Sequence, residues 1–508
     1  MSEKYLKDFK VINYYSGIIV LGTVSLMTIP IFVTIMYREW KSLVDILLAL
    51  FIGLSVSSLM IILSKNERSN TKIEWKHGLI IASYSWLLLM LLCALPFLFS
   101  GHANSYLDAC FDVMSGFTTT GVFLMQDLDH MSYGINMWRH ILTFVGGQGM
   151  VVLALSILIK NFSGGYKMYV GEGKDIELLP NVKGTSVAIW KISIIYLIIG
   201  TIALTIDGIL IGLSPSNSLM HGLFIFASSW STGGFAPMSQ NILYYHSFSY
   251  EIITIIFMVI GSLNFGLHFA VIKGKKKEIF KNIEAQSFFT TSFILTALLV
   301  IFLSKTGVYN NAVALFRKGV YQLISAHTTT GFGSLYARQL LFEWGDFALL
   351  IMTIAMLIGG SACSTAGGFK GLRVGIIFKG IIADIKRSLC SDKRVVTTKV
   401  HHIKDIVLDD ALVKSSMLIV LCYIVMFTIA TLLGTFYGYS LVESAFEAAS
   451  VSGNVGLSIG VTNTLMPAPL KVCYIIVMYL GRLEFVSVFA LIGYFVGGIK
   501  KLCVRHGR

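Results

Sequence analysis

Charge is what this sequence has least of. Of its 508 residues only 13% are Asp, Glu, Lys or Arg, against about 25% in an ordinary soluble domain. So few charges cannot clothe a water-soluble protein of this size, and much of the 55% hydrophobic content must face lipid. Intrinsic disorder, which needs low hydrophobicity and high charge, is excluded by the same figures. Seven scattered cysteines without a C-x-x-C pair exclude a disulfide framework. Cys93, Cys110, Cys363, Cys390, Cys422, Cys473 and Cys503 read instead as small apolar fillers. Walker sequences, zinc signatures and nucleophile–base arrangements are missing, so the chain does not read as an enzyme. His401-His402 stands without a ligand cluster and reads as a solvated pair. Acidic residues are outnumbered, 27 against 40 basic, for a net charge of +13.

A bilayer crossing takes about 20 apolar residues. Ten such spans are expected, at 14–37, 42–64, 78–100, 136–160, 186–212, 249–272, 286–304, 346–377, 411–437 and 468–495. The first is too long for a cleaved leader, lacks an A-x-A site and is followed by Arg38-Glu39-Trp40-Lys41 and a second span. With the N-terminus inside, one side collects Lys4, Lys7 and Lys10, then Lys65, Arg68, Lys72 and Lys76, then Lys160, Lys167, Lys174 and Lys183. The same side holds the lysines of 273–281, the basic residues of 370–404, and Lys500, Lys501, Arg505 and Arg508. Lys191 and Lys414 start spans leaving that side. Only Arg38, Lys41, Arg139, Lys305, Arg317, Lys318, Arg338, Lys471 and Arg482 fall elsewhere. That asymmetry predicts both termini in the cytoplasm and makes the positive charge an address, not a nucleic-acid patch. Segments 273–281 and 370–404 are the basic faces to which a partner would dock.

Shorter apolar stretches lie near 106–118, 218–230, 313–327 and 441–452, the length of re-entrant half-helices. The order full, half, full therefore occurs four times after two extra spans. Each half-helix ends in a similar line: Ser115-Gly-Phe-Thr-Thr-Thr-Gly121, Ser228-Ser-Trp-Ser-Thr-Gly-Gly234, Ser325-Ala-His-Thr-Thr-Thr-Gly331 and Ser450-Val-Ser-Gly-Asn-Val-Gly456. An aromatic precedes every serine by four positions (Phe111, Phe224, Tyr321, Phe446), and Asp108 and Asp112 of the first copy match Glu443 and Glu447 of the fourth. The next span has an aligned glycine at Gly146, Gly261, Gly359 and Gly481. Small residues also serve plain helix packing, but packing does not explain four copies in register. Irregular backbone at membrane depth must line a cavity or be buried in protein. Four such loops around an axis would offer rings of carbonyls that replace the hydration shell of a monovalent cation. Half-helix C-termini would add partial negative charge. The loops carry no charged side chain, which argues against an acidic, divalent-selective ring. Asp112 and Glu447 are read either as cation attractors or as hydrogen-bond anchors for a neighbouring loop.

On these residues the chain resembles the Trk/Ktr/HKT superfamily of potassium and sodium translocating proteins, most closely its bacterial TrkH-like subunits. The resemblance implies an all-α polytopic membrane protein with two N-terminal helices (1–77) and four membrane–pore–membrane repeats (78–185, 186–285, 286–405, 406–508) forming a pseudo-fourfold, K+-channel-like pore. By that resemblance the filter is Thr119, Thr120, Gly121 and Val122; Thr232, Gly233, Gly234 and Phe235; Thr329, Thr330, Gly331 and Phe332; and Asn454, Val455, Gly456 and Leu457. In plant relatives a serine at the first key glycine goes with sodium preference; four glycines here favour potassium. Asn454 and Val455 depart from the Thr-rich pattern and put one quadrant's ligands, and full sodium exclusion, in question.

Two further features match a gate. The expected eighth span is too long for one straight crossing and is interrupted by Gly359, Gly360, Ser361, Ala362, Cys363, Ser364, Thr365, Ala366, Gly367 and Gly368. The resemblance makes 359–370 an intramembrane loop that blocks the path, with a broken second helix in the third repeat. Arg482 lies within the tenth span, where a charge is costly and by default functional; it resembles the family arginine beside that loop, with Glu484 as its partner or screen. The family further implies a homodimer in the bacterial inner membrane. Its regulator would be a cytosolic ring of nucleotide-binding subunits of the TrkA/KtrA type, leaving this chain with K+ as cargo and no cofactor. Sodium permeation or coupling by the same pore, a secondary transporter with a broken-helix midplane site, and a purely regulatory membrane subunit are the competing readings.

Overall fold

The computed structural model describes residues 3–65, 73–125, 127–157, 165–172, 181–389 and 397–506. Arg68, Lys72, Lys160, Lys174, Cys390 and Arg508, with 390–396 of the basic loop, lie outside them, as do the side chains of Lys4, Lys500, Lys501, Cys503 and Arg505. Six helices among the described residues are long and apolar enough to cross a membrane: Tyr5–Met36, Trp40–Ser64, Trp75–Ser100, Val182–Leu210, Ile283–Thr306 and Asp410–Phe436. Two further pairs qualify as bent spans, Phe248–Ser262 with Phe265–Ile272 at 101° and Ala468–Leu483 with Val486–Gly497 at 116°. The remaining two expected spans are also split. Tyr133–Gln148 gives way to Met150–Ile157 at Gly149, and Gly345–Ile358 is separated from Gly371–Ser388 by an irregular loop. The break expected in the third repeat alone thus occurs in all four second spans. Large apolar side chains such as Phe51, Phe293 and Phe436 are exposed on the outer helix faces, as a lipid-facing surface requires.

The four half-helices form close to where apolar run length puts them. They are Tyr106–Phe117, Pro215–Trp230, Tyr321–His327 (preceded by a π-turn, Leu315–Val320) and Leu441–Ser452. Each entry is capped. Ser105, Ser214 and Ser440 accept through their hydroxyls from Asp108, Asn217 and Glu443 backbone N–H, and Asn311 accepts through its amide oxygen from Ala314 N–H. Such caps satisfy otherwise orphaned first-turn donors, which matters most away from water. The four aromatics before the motif serines are fully buried.

Ion pairs lock neighbouring units. Lys471 Nζ, on the fourth unit's second span, lies 2.6 Å from Asp108 Oδ1 on the first half-helix. Arg317, entering the third half-helix, forks onto Glu251 of the second unit's second span, with Nη2 2.7 Å from Oε1. Removing one partner of a buried pair leaves an uncompensated charge, at a cost of about 3–5 kcal/mol. Lys471→Met is therefore expected to lower the thermal unfolding midpoint in detergent clearly, and Lys471→Met with Asp108→Asn to recover part of the loss. Equal loss in single and double variants would contradict this pairing.

Among the described residues the expected all-α chain also contains one small antiparallel hairpin, β1 (Lys399–His402) and β2 (Lys404–Val407). It corrects the reading of His401-His402 as a solvated pair. His401 lies between Asp405 and Glu278, which hold its pKa above the ordinary value, and His402 Nδ1 lies 3.8 Å from buried Glu284.

Candidate functional site

Each half-helix ends in the same way, and the ending explains the serine spacing. Thr119, Thr232, Thr329 and Asn454 adopt left-handed φ values of 55°, 50°, 56° and 53°. The following N–H, of Thr120, Gly233, Thr330 or Val455, donates to the carbonyl of the motif serine at 2.8–2.9 Å. This is a Schellman closure, which usually recruits glycine to its left-handed position. Here β-branched or amide residues occupy it, a strain of the kind that concentrates at functional sites. In the first and fourth units the serine hydroxyl then accepts from the motif glycine N–H, Gly121 to Ser115 and Gly456 to Ser450, both at 3.0 Å. Ser325 instead donates to Phe332 O at 2.9 Å.

The four motif glycines also have positive φ, from 65° to 97°. A Cβ on Gly121 would meet Gly233 O, one on Gly234 would meet Thr330 O, one on Gly331 Val455 O, and one on Gly456 Thr120 O. The contacts run first to second, second to third, third to fourth and fourth back to first. Four segments spread over more than 330 residues of sequence therefore close a ring around one axis. Asn454, the departure in the fourth loop, stitches that ring. Its Nδ2 donates to Thr120 Oγ1 and to Met478 O, each at 3.0 Å. Val122, Phe235, Phe332 and Leu457 follow the glycines and are buried.

The loop 359–370 packs directly against the ring's helix-side end. Thr365 is its hub, with Oγ1 donating to Trp230 O at 3.0 Å and Gly261 O at 2.8 Å. Thr232 Oγ1 donates to Thr365 Oγ1 at 3.1 Å, and Thr119 Oγ1 reaches Thr365 O at 3.4 Å. Gly367 N–H donates to Thr329 Oγ1 at 2.8 Å, and a Cβ on Gly367 would strike Gly453 O. All four motif segments thus touch this loop. Gly359 and Gly368 turn it at positive φ and pack on each other, Gly360 approaches Ser262, Ser361 N–H donates to Ser262 O, and Ser364 closes an internal turn onto Ser361 O. Ala362, Cys363 and Ala366 are buried within it.

Gly359 consequently differs from the glycines it was aligned with. Gly146, Gly261 and Gly481 let a second span lie on Phe117 O, Trp230 O and Ser452 O, whereas Gly359 packs within its own loop. Arg482 grips the loop from the side. Nη1 donates to Thr365 O at 2.5 Å, while Nη2 donates to Gly146 O at 2.7 Å and Gly147 O at 3.0 Å. Glu484, expected as its partner or screen, acts on Arg482 electrostatically and also forms ion pairs with Arg373 and Lys370 at the start of the helix after the loop.

With this geometry in view, comparison with known proteins decides the family. The TrkH family profile, described as a cation transport protein, matches residues 44–493. The chain belongs to the TrkH family. It is 27% identical over 487 residues to an uncharacterized cation transporter of Methanocaldococcus jannaschii, covering 96% of this chain and 95% of that one. A Trk system potassium uptake protein TrkH of Vibrio parahaemolyticus is 30% identical over 343 residues, covering 66% and 68%. The crystal structure of the potassium transporter TrkH from Vibrio parahaemolyticus superposes with a TM-score of 0.79 at 24% identity, covering 95% of this chain and 98% of that one.

In this TrkH-family protein three side chains matter that spacing alone did not single out or assign. Glu284, fully buried, accepts from Ala362 N–H in loop 359–370 and from Asn264 Nδ2 at the break of the second unit's span, both at 2.9 Å. Its sequence signal was a carboxylate beside an apolar run. Asp112 accepts from Leu124 and Met125 N–H at 2.7 and 3.0 Å. Glu447 accepts from Ile459 and Val461 N–H at 3.0 and 3.2 Å and from Thr462 Oγ1 at 2.8 Å. Both carboxylates anchor the chain just beyond their own motif glycine.

Proposed function

We propose that this chain translocates potassium across the cytoplasmic membrane through a filter built from its four loops. The observation that carries the reading is the closed ring of glycine–carbonyl contacts among residues 119–122, 232–235, 329–332 and 454–457. In each loop a left-handed residue, one of negative φ and a left-handed glycine follow one another. Alternating hand cancels the helical turn and sets successive peptide oxygens toward one side, the arrangement needed to replace a hydration shell. Glycine at all four key positions and neutral side chains throughout favour a monovalent ion of potassium size. Relatives named as potassium uptake proteins and a potassium transporter of the same fold support that choice of ion.

Loop 359–370 is the gate in this reading, and Arg482 its clasp. Thr365 and Gly367 lie against three threonine hydroxyls of the filter, so an ion leaving the ring toward the loop meets protein, not water. Both termini lie on the cytoplasmic side, following the lysines and arginines. The working unit is a homodimer that receives a ring of nucleotide-binding subunits on its basic inner face; nucleotide binds to those subunits, and this chain needs no cofactor of its own. A midplane secondary transporter would pair two halves, whereas the contacts here run through four units.

Rubidium uptake into proteoliposomes, with sodium as competitor, tests the reading. Rubidium flux that excess sodium leaves largely intact is the result expected. Equal flux of both ions would reject the potassium assignment, and no flux with or without the regulatory subunits would reject transport by this chain.

A further inference from the structure

The four filter loops are not held alike. Three half-helices carry a polar residue three positions before the motif serine: Asp112, Gln322 and Glu447. Each folds onto its own loop. Gln322 Oε1 accepts from Ser334 N–H at 3.1 Å and its Nε2 donates to Phe332 O at 3.4 Å, the neutral counterpart of the two carboxylates. The second half-helix has Ile225 at this position and can offer nothing.

Its loop is held from outside by Arg139, which stands on the first unit's second span and is 1% exposed. Arg139 Nη1 donates to Ala236 O at 2.8 Å, directly after the filter segment. The guanidinium carbon lies 3.9 Å from the centre of the Phe235 ring and 5.1 Å from that of Phe123, just beyond the first filter segment. Nε and Nη2 find no hydrogen-bond acceptor among the described residues, so the aromatic faces and the nearby carboxylate of Asp112 support the cation. The Phe235 ring also packs against Gly116, on which a Cβ would come within 3.1 Å of it. Asn241 Nδ2 also donates to Gly234 O at 3.1 Å and its Oδ1 accepts from Gly333 N–H at 3.3 Å, joining the second loop to the third. Arg139 joins the second loop to the first directly beside the filter segments; further out, Asp129 accepts from Ser239 N–H and Oγ at 2.7 and 2.6 Å, and Asn136 Nδ2 donates to Pro237 O at 3.4 Å.

We propose that Arg139 is a specificity-determining positioning residue: by pinning Phe235 and Ala236 against the first loop, it sets the preference for potassium over sodium. The proposal rests on the filter reading above. A quadrant without an anchor on its half-helix would follow a smaller ion inward, and a ring that contracts no longer penalises sodium. A planar guanidinium lies flat on one ring while donating along its edge; the ammonium of lysine cannot do both.

The test is the ratio of rubidium to sodium uptake in proteoliposomes, normalised to folded protein by gel filtration. Arg139→Met and Arg139→Lys are each expected to lower that ratio by about tenfold. Phe235→Leu should do the same, and Arg139→Met with Phe235→Leu should fall no further than either alone. A purely structural role would reduce both fluxes together and leave the ratio unchanged, which would overturn the proposal. Retained selectivity in Arg139→Lys, or additive losses in the double variant, would overturn it too. If Arg139→Met does not fold, Phe235→Leu and Arg139→Lys carry the test. Wild-type protein that fails to discriminate the ions refutes the filter reading itself, whereas a selective wild type with unaffected variants refutes only the role of Arg139.

Discussion

Gly331→Ala is expected to abolish rubidium uptake, by at least about a hundredfold. The glycine has φ +82°, where a Cβ is strained, and an added methyl would overlap Val455 O of the fourth loop. Left-handed strain costs roughly 1–2 kcal/mol, and overpacking roughly 1–3 kcal/mol more. Neither is relieved locally, because the atom in the way is backbone and belongs to a loop that closes on the next one. Together they come to about 2–5 kcal/mol, centred above the 2.7 kcal/mol or so that correspond to a hundredfold. Gly333→Ala is the matched control. Its Cβ would meet nothing nearer than Leu335 O at 3.5 Å, so flux should remain within about twofold of wild type. Loss of uptake in both variants, or in neither, would contradict the ring geometry.

Arg482→Ala should act in the opposite direction and raise basal flux. The guanidinium gives three hydrogen bonds to carbonyl oxygens, one on Thr365 in the loop and two on Gly146 and Gly147 in the first unit's second span. Hydrogen bonds from a charged donor contribute about 1.5–3 kcal/mol each. Losing the single bond that reaches the loop would shift its closed-to-open balance by about tenfold or more. In the proposed gate the charge would also leave the ion's route, lowering the electrostatic barrier as well. Arg482→Lys keeps that charge but not the forked geometry, so its flux should fall between the two. Proteoliposome uptake without regulatory subunits provides the readout, and unchanged flux in Arg482→Ala would remove this residue from the gate.

Much of this arrangement was legible in the sequence because it rests on local chemistry. Half-helix length follows from short apolar runs, and Ser105, Ser214, Asn311 and Ser440 mark the entries. The six-residue interval from serine to glycine reflects two local bonds, one to the serine carbonyl and, in two units, one to its hydroxyl. What stayed hidden depends on direction or on partners far away in the chain. Hydropathy counts apolar residues without recording a turn, so the 101° and 116° bends at Leu263–Asn264 and Glu484–Phe485 left no trace in it. Asp112 and Glu447 remained ambiguous because the backbone donors that they bind lie 12–14 residues further on. Asn454 read as a defect in a Thr-rich pattern, yet its amide spans the fourth and first loops, 334 residues apart. Arg139 reads in the sequence only as an off-side basic residue, because Phe235, whose ring centre lies 3.9 Å from its guanidinium carbon, is 96 residues further on.

The central claim is that the four-loop ring selects potassium. It is tested most directly by the reversal potential of the purified protein in a planar bilayer with opposed potassium and sodium gradients. Arg482→Ala provides the open form if the wild type passes too little current. The account predicts reversal close to the potassium equilibrium potential, moving toward zero in Gly121→Ser. Reversal midway between the two equilibrium potentials in the unmodified ring, or at the sodium value, would contradict it.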